Sequence, residues 1–137
     1  MVQFTDRRNK VTTLTYDALD RLSFIGYGTR SGPTYESTVS NTYDAGNRLT
    51  QALDSVTGTI TVNYDGLDRV TSESGPRGAV SYVYDNAGRR STMTVAGQPS
   101  VSYTYDDAGR PLQIVQGSLT HHSLGKLPEP ELTHNFY

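Results

Sequence analysis

The chain contains no cysteine and no tryptophan, so neither a disulfide framework nor thiolate chemistry is open to it, and its redox compartment is left undefined. Long apolar runs are also missing. No stretch approaches the roughly 18 residues that a membrane helix needs, and the opening Met-Val-Gln-Phe-Thr-Asp lacks the apolar centre of an export signal. The expectation is a chain that neither inserts in a membrane nor carries its own signal peptide. Charge of one sign is scarce too: a net charge of −2 gives no global reason to bind nucleic acid. Hydrophobic residues make up only 34% of 137 residues, which is lean for a conventional packed core. The aromatics that are present are nearly all of one kind, 10 Tyr against 3 Phe. Tyrosine hydroxyls need partners, and this favours a sheet with wet edges over an apolar globule.

What the chain does have is a repeat. An aromatic and an aspartate, then two spacers, a turn residue and an arginine recur as Tyr16-Asp17…Arg21, Tyr43-Asp44…Arg48, Tyr64-Asp65…Arg69, Tyr84-Asp85…Arg89 and Tyr105-Asp106…Arg110. The tyrosines are 27, 21, 20 and 21 residues apart, periods that signal a repeat architecture. Before each of the last three copies the residues alternate as a half-buried strand does: Ile60, Val62, Tyr64; Val80, Tyr82, Tyr84; Val101, Tyr103, Tyr105.

Four residues past each tyrosine stand Asp20, Asn47, Asp68, Gly88 and Gly109, the residue types that best tolerate positive φ. This predicts a type I turn opened by the aspartate and closed by a left-handed residue, the loop of a short β-hairpin. The aspartate caps the turn by accepting backbone N–H bonds. The arginine then opens the return strand beside the tyrosine that ended the outgoing one, so ring and guanidinium are expected to stack within a copy.

Apolar residues follow the arginine directly at Leu22, Leu49 and Val70. In the last two copies they shift, to Met93 with Val95 and to Leu112 with Ile114, which predicts a bulge or change of register after Arg89 and Arg110. Pro111, lacking an N–H, suggests an edge strand or one paired through its other side at that point. Ser23 to Thr42 is a longer link that predicts an expanded loop or a wider hairpin. Phe4, Asp6 and Arg8 read as a worn half-copy. The array is thus expected over 1–117, with 118–137 an irregular or disordered tail marked by Pro128 and Pro130.

The five Tyr-Asp copies with the Gly75-Pro76-Arg77-Gly78 link resemble the YD repeats of Rhs proteins, which occur also in teneurins, in wall-associated proteins and in the shell of ABC toxin complexes. The resemblance covers Phe4 to Gly117. It implies an all-β, antiparallel β-hairpin array that in the family spirals into a hollow β-shell, often around a toxin, in secreted or cell-surface proteins. Five copies are fewer than such shells use, and neither a toxin domain nor the family's autoproteolytic core segment has a match. The expectation is therefore an open fragment whose partners are neighbouring YD repeats of a parent chain, a second copy of itself, or an enclosed toxin domain.

Catalysis by the Tyr, Asp and Arg of the motif is disfavoured because an active site is one constellation, whereas five equivalent copies imply structure. No enzyme activity, cofactor or metal is expected. The aspartates lack calcium-loop spacing, and His121, His122 and His134 sit in a proline-containing tail. The alternative function is binding: a tyrosine-rich face, with Tyr82 and Tyr103 exposed on it, would suit carbohydrate or protein.

Overall fold

The computed structural model describes residues 1–28 and 34–123. Every element in it is a β-strand, and the chain divides into two compact units, Met1–Ser81 and Tyr82 onward. The first holds β1 (Val2–Thr5), β2 (Val11–Tyr16), β3 (Leu22–Gly28), β4 (Tyr35–Tyr43), β5 (Leu49–Asp54), β6 (Gly58–Tyr64), β7 (Val70–Gly75) and the start of β8 (Gly78–Tyr84). Each pairs antiparallel with the next in chain order, the pattern that short turns impose. The second unit takes the end of β8, then β9 (Arg90–Val95), β10 (Val101–Tyr105), β11 (Pro111–Gln116) and β12 (Leu119–Ser123), with β9 to β12 again paired antiparallel in order. The fold is an open antiparallel meander of hairpins, as the alternation and turn residues predict.

No apolar side chain among the described residues is fully buried. A single layer of strands has nothing to close over its face, so the tyrosines and aliphatics stay half-covered, and cohesion must come from neighbouring strands. The wide hairpin of β3 and β4 shows one device. Tyr35 packs edge-on to Phe24 with ring centroids 5.3 Å apart and lies over the bare backbone of Gly26, where a Cβ would come within 2.3 Å of the ring.

Four expectations need correction. The bulge expected after Arg110 is present, but it is not a peculiarity of the late copies. Register slips one residue beside Tyr16, Tyr43, Tyr64 and Tyr105 alike, so that Ser23, Thr50, Thr71 and Leu112 are the extra residues two places after the arginine. Ser23 and Thr50 turn their hydroxyls onto the carbonyls of Thr15 and Thr42, both at 3.1 Å. Second, of the two placements expected for Pro111 the edge does not hold and the other does: β11 is an interior strand, paired at that residue through its β10 side. Pro111 is tolerated as its first residue, opposite Tyr105, and pairing with β12 begins only at Gln113. Third, strand structure continues past residue 117 into β12, because β11 presents an open ladder that Leu119–Ser123 can join; residues 124–137 lie outside those described.

The fourth concerns the worn half-copy. It is a turn of the same backbone geometry in which the arginine's role is divided: Lys10 takes the backbone place, Asp6 N–H donating to Lys10 O at 2.9 Å with Asn9 left-handed at φ 60°, while Arg8 Nε donates to Asp6 Oδ2 at 3.4 Å. It joins β1 to β2, and so lies at the opposite strand ends from the Tyr16 turn, which joins β2 to β3. Lys10 there pairs with Glu36 rather than with the turn aspartate.

Candidate functional site

The five motif turns repeat one geometry. The left-handed residues carry φ of 58° (Asp20), 64° (Asn47), 63° (Asp68), 79° (Gly88) and 78° (Gly109), as their identities predict. Each aspartate carboxylate then works with both oxygens. One oxygen accepts the arginine's backbone N–H, at 2.8 to 3.0 Å across the five turns. The other accepts Nε of the same arginine, at 2.7 Å in every copy. In the first three turns a further N–H, from Leu19, Gly46 or Leu67, reaches the first oxygen at 2.9 Å. The turn is thereby locked from within.

These donors hold the carboxyls below the usual aspartate range. At Asp85 and Asp106 the arginine's backbone N–H leads; at Asp44 the Arg48 guanidinium leads. At Asp17 and Asp65 loss of solvent is the largest single influence and pushes upward, but the arginine and backbone donors together outweigh it. A carboxyl more acidic folded than unfolded contributes stability that is complete above the unfolded value of about 3.9 and is lost as pH falls through the folded one. Thermal melts should therefore be flat from neutral pH to about pH 5 and drop below about pH 4. A melting temperature unchanged down to pH 2.5 would contradict this role for the aspartates.

With Nε committed to its own turn, each arginine extends the rest of its guanidinium to the next turn. Arg21 lies over the Tyr43 ring at 4.7 Å, Arg48 over Tyr64 at 4.7 Å and Arg89 over Tyr105 at 4.5 Å. The stack is thus between copies and not within one: the turn sets the arginine beside its own aspartate, and the register of Phe24 with Ser40, Gln51 with Thr61 and Met93 with Val101, continued to the strand ends, carries it to the tyrosine that ends the following strand. Nη1 goes further, donating to the backbone carbonyl of the next aspartate: Arg21 to Asp44 and Arg48 to Asp65 at 3.2 Å, Arg89 to Asp106 at 3.4 Å. The tyrosine answers by donating its hydroxyl back to the residue after the arginine: Tyr43 to Leu22 O, Tyr64 to Leu49 O and Tyr105 to Arg90 O, at 2.9, 2.8 and 2.7 Å. Arg69 is bonded to Asp65 in the same way as the others, and Tyr84 ends β8.

The left-handed residues have a second task that their backbone role hides. Arg21 Nη1 donates to Asn47 Oδ1 at 2.8 Å, and Arg48 Nη1 to Asp68 Oδ1 at 2.6 Å. Asp20 has no such contact among the described residues. Replacing Asp20 by glycine should accordingly relieve backbone strain and stabilise by up to about 1 kcal/mol. At Asp68 the same change also removes an ion pair, exposed and so worth at most about 1 kcal/mol, and should come out near neutral. Paired unfolding titrations check the difference, and equal effects at both positions would count against the acceptor role.

Tyr82 and Tyr103 are both half-buried. Arg90 covers Tyr82 at 4.2 Å, and the Tyr103 hydroxyl meets Met93 Sδ at 4.0 Å. A groove of about 350 Å³ in the first unit, lined by Ile60, Pro76 and Val80 together with Glu73 and Arg77, contains no motif residue. Among the described residues no His, Asp or Glu cluster is placed to hold a metal, and no helix is long and apolar enough to cross a membrane.

No curated protein matches the chain. The family model described as Teneurin YD-shell matches residues 4–130, which takes in all five motif turns. The chain belongs to the teneurin YD-shell family, and it is a structural repeat segment of that type.

Proposed function

We propose that the chain serves as part of the wall of a YD-repeat shell, in an extracellular or cell-surface parent protein, where the wall encloses a toxin or presents an adhesive domain. The observation that carries this reading is the direction of the arginines. Each described ladder contact spends an arginine's charge on the next turn, and that turn's ring and hydroxyl on the arginine and the residue after it, which is what a wall needs and leaves little of the motif for chemistry on a substrate. Neither enzymatic activity nor a cofactor is part of the proposal. The alternative, a carbohydrate-binding face on Tyr82 and Tyr103, is disfavoured at Tyr82, whose ring Arg90 already covers.

Sedimentation and a glycan array test the two readings. The wall reading expects concentration-dependent self-association through open strand edges, suppressed when further YD repeats are fused to the chain, and no saturable sugar binding. A stable monomer with saturable glycan binding that disappears in Tyr82→Ala or Tyr103→Ala would overturn it.

A further inference from the structure

The link between β7 and β8 leaves part of the sheet face uncovered. Gly75 pairs with Gly78 and Glu73 with Val80, and positions two apart on a strand share a face, so two paired places beside Glu73 and Val80 carry no side chain. A Cβ on Gly78 would meet nothing within 4 Å, and one on Gly75 would first touch Ile60 Cγ1 at 3.4 Å. This bare patch is the origin of the groove of about 350 Å³, to which Ile60, Pro76 and Val80 contribute apolar groups. Its volume falls within the range of about 300–1,000 Å³ usual for small-molecule sites. Pro76 is fixed before any ligand arrives. Its ring lies against the bare backbone of Gly58, where a Cβ would stand 2.8 Å from Pro76 Cγ, and it restricts its own φ.

Two charges of opposite sign share this groove. Glu73 and Arg77 both line it, both are exposed, and neither side chain has a hydrogen bond or ion pair among the described residues, not even with the other. The motif arginines, by contrast, each hold a turn aspartate. A purely anionic ligand drawn to Arg77 would also meet Glu73, and a cation drawn to Glu73 would meet Arg77. Only a ligand with both charges on an apolar body suits every part of the lining. Glu73 and Gly75 are about 7 Å apart along β7, with Arg77 following in the turn, and an extended dipeptide spans about 7 Å. We infer that the groove binds a short zwitterionic peptide, an apolar dipeptide with free ends. Its ammonium goes to Glu73, its carboxylate to the forked donors of Arg77, and its side chains to Ile60, Pro76 and Val80. The site contains no ladder residue and does not rest on the wall reading.

The test uses the whole chain and the dipeptide Leu-Leu, followed by nuclear magnetic resonance at the Ile60 and Val80 methyls. Saturable shifts are expected with Leu-Leu, and binding weaker by about tenfold or more with Gly-Gly, which has the charges without the apolar body. Glu73→Gln should weaken Leu-Leu by about three- to fivefold and leave its N-acetylated form, already without an ammonium, unaffected. Arg77→Gln should weaken Leu-Leu by a similar factor of about three to five and leave its C-terminal amide unaffected. Both substitutions alter exposed side chains without a partner among the described residues, so the amide spectrum should show the fold intact. Gly75→Ala sets a methyl into the bare patch in ordinary contact with Ile60, and should weaken Leu-Leu at least about threefold. No saturable shift, equal binding of Gly-Gly, or the same loss for free and blocked dipeptides in either charge variant would each overturn the proposal. So would undiminished binding in Gly75→Ala, since the ligand would then lie elsewhere.

Discussion

Replacing Tyr64 by alanine should destabilise the first unit by about 2–3 kcal/mol, although the side chain is only half-covered. Three contributions are lost together. The Arg48 guanidinium at 4.7 Å over the ring supplies about 0.5–1 kcal/mol, and the hydroxyl bond to Leu49 O at 2.8 Å about 0.5–1.5 kcal/mol. Removing apolar ring surface accounts for the rest. Tyr64→Phe isolates the hydroxyl and should cost only its share, about 0.5–1.5 kcal/mol. Ile60→Ala is the internal control: same strand, same face, 48% exposed and outside the ladder, for an expected loss below about 1 kcal/mol. Urea unfolding of the three variants ranks them. If Tyr64→Ala costs no more than Ile60→Ala, the ladder is a geometric regularity with little energetic weight.

The turns were legible because their requirements are local. Five residues decide a hairpin loop of this kind, and the positions four past each tyrosine hold only Asp, Asn or Gly, residues that take positive φ readily; the angles of 58° to 79° follow. Partnership between turns was not legible. Arg and Tyr five residues apart look like neighbours, and within one copy they are close. What pairs each arginine with a tyrosine 16 or 22 residues further on is the register with the following strand, at a distance set by hairpin length and not by any short motif.

A readable trace of the bulge exists nonetheless. Residues one and four places after the arginine face the tyrosine side, as Leu22 with Ile25, Leu49 with Ala52 and Pro111 with Ile114 do by their pairing to Tyr16 and Leu14, Tyr43 and Asn41, and Tyr105 and Tyr103. A spacing of three, not two, marks one extra residue in a strand. Ile114 had looked displaced only because the strand was read with an unbroken period of two. The Asp6 turn misled for a related reason. Its arginine-rich sequence drew attention to Arg8, while the backbone bond that defines the turn runs from Asp6 to Lys10.

The same reasoning turns Gly109 into a sharp discriminator. At φ 78°, valine should cost about 1–2 kcal/mol or more, since a β-branched side chain fits the left-handed region poorly; Gly88→Val, at φ 79°, should behave alike. Asparagine at 109 is a different case. It tolerates the angle, and a Cβ there would stand 3.7 Å from Arg89 Nη1, in ordinary contact. Arg89 already rests on Tyr105 and Asp106 O but finds no side-chain acceptor on a glycine, where Arg21 finds Asn47 Oδ1 at 2.8 Å. Gly109→Asn should therefore restore the missing contact and come out within about 0.5 kcal/mol of the parent chain, the hydrogen bond to a charged donor offsetting the loss of glycine's freedom. Combining it with Arg89→Leu should remove that compensation, so that asparagine then costs more than it does beside an intact arginine. If asparagine destabilises as much as valine and does so equally with or without Arg89, the left-handed residue is a turn former alone and contributes no acceptor to the ladder.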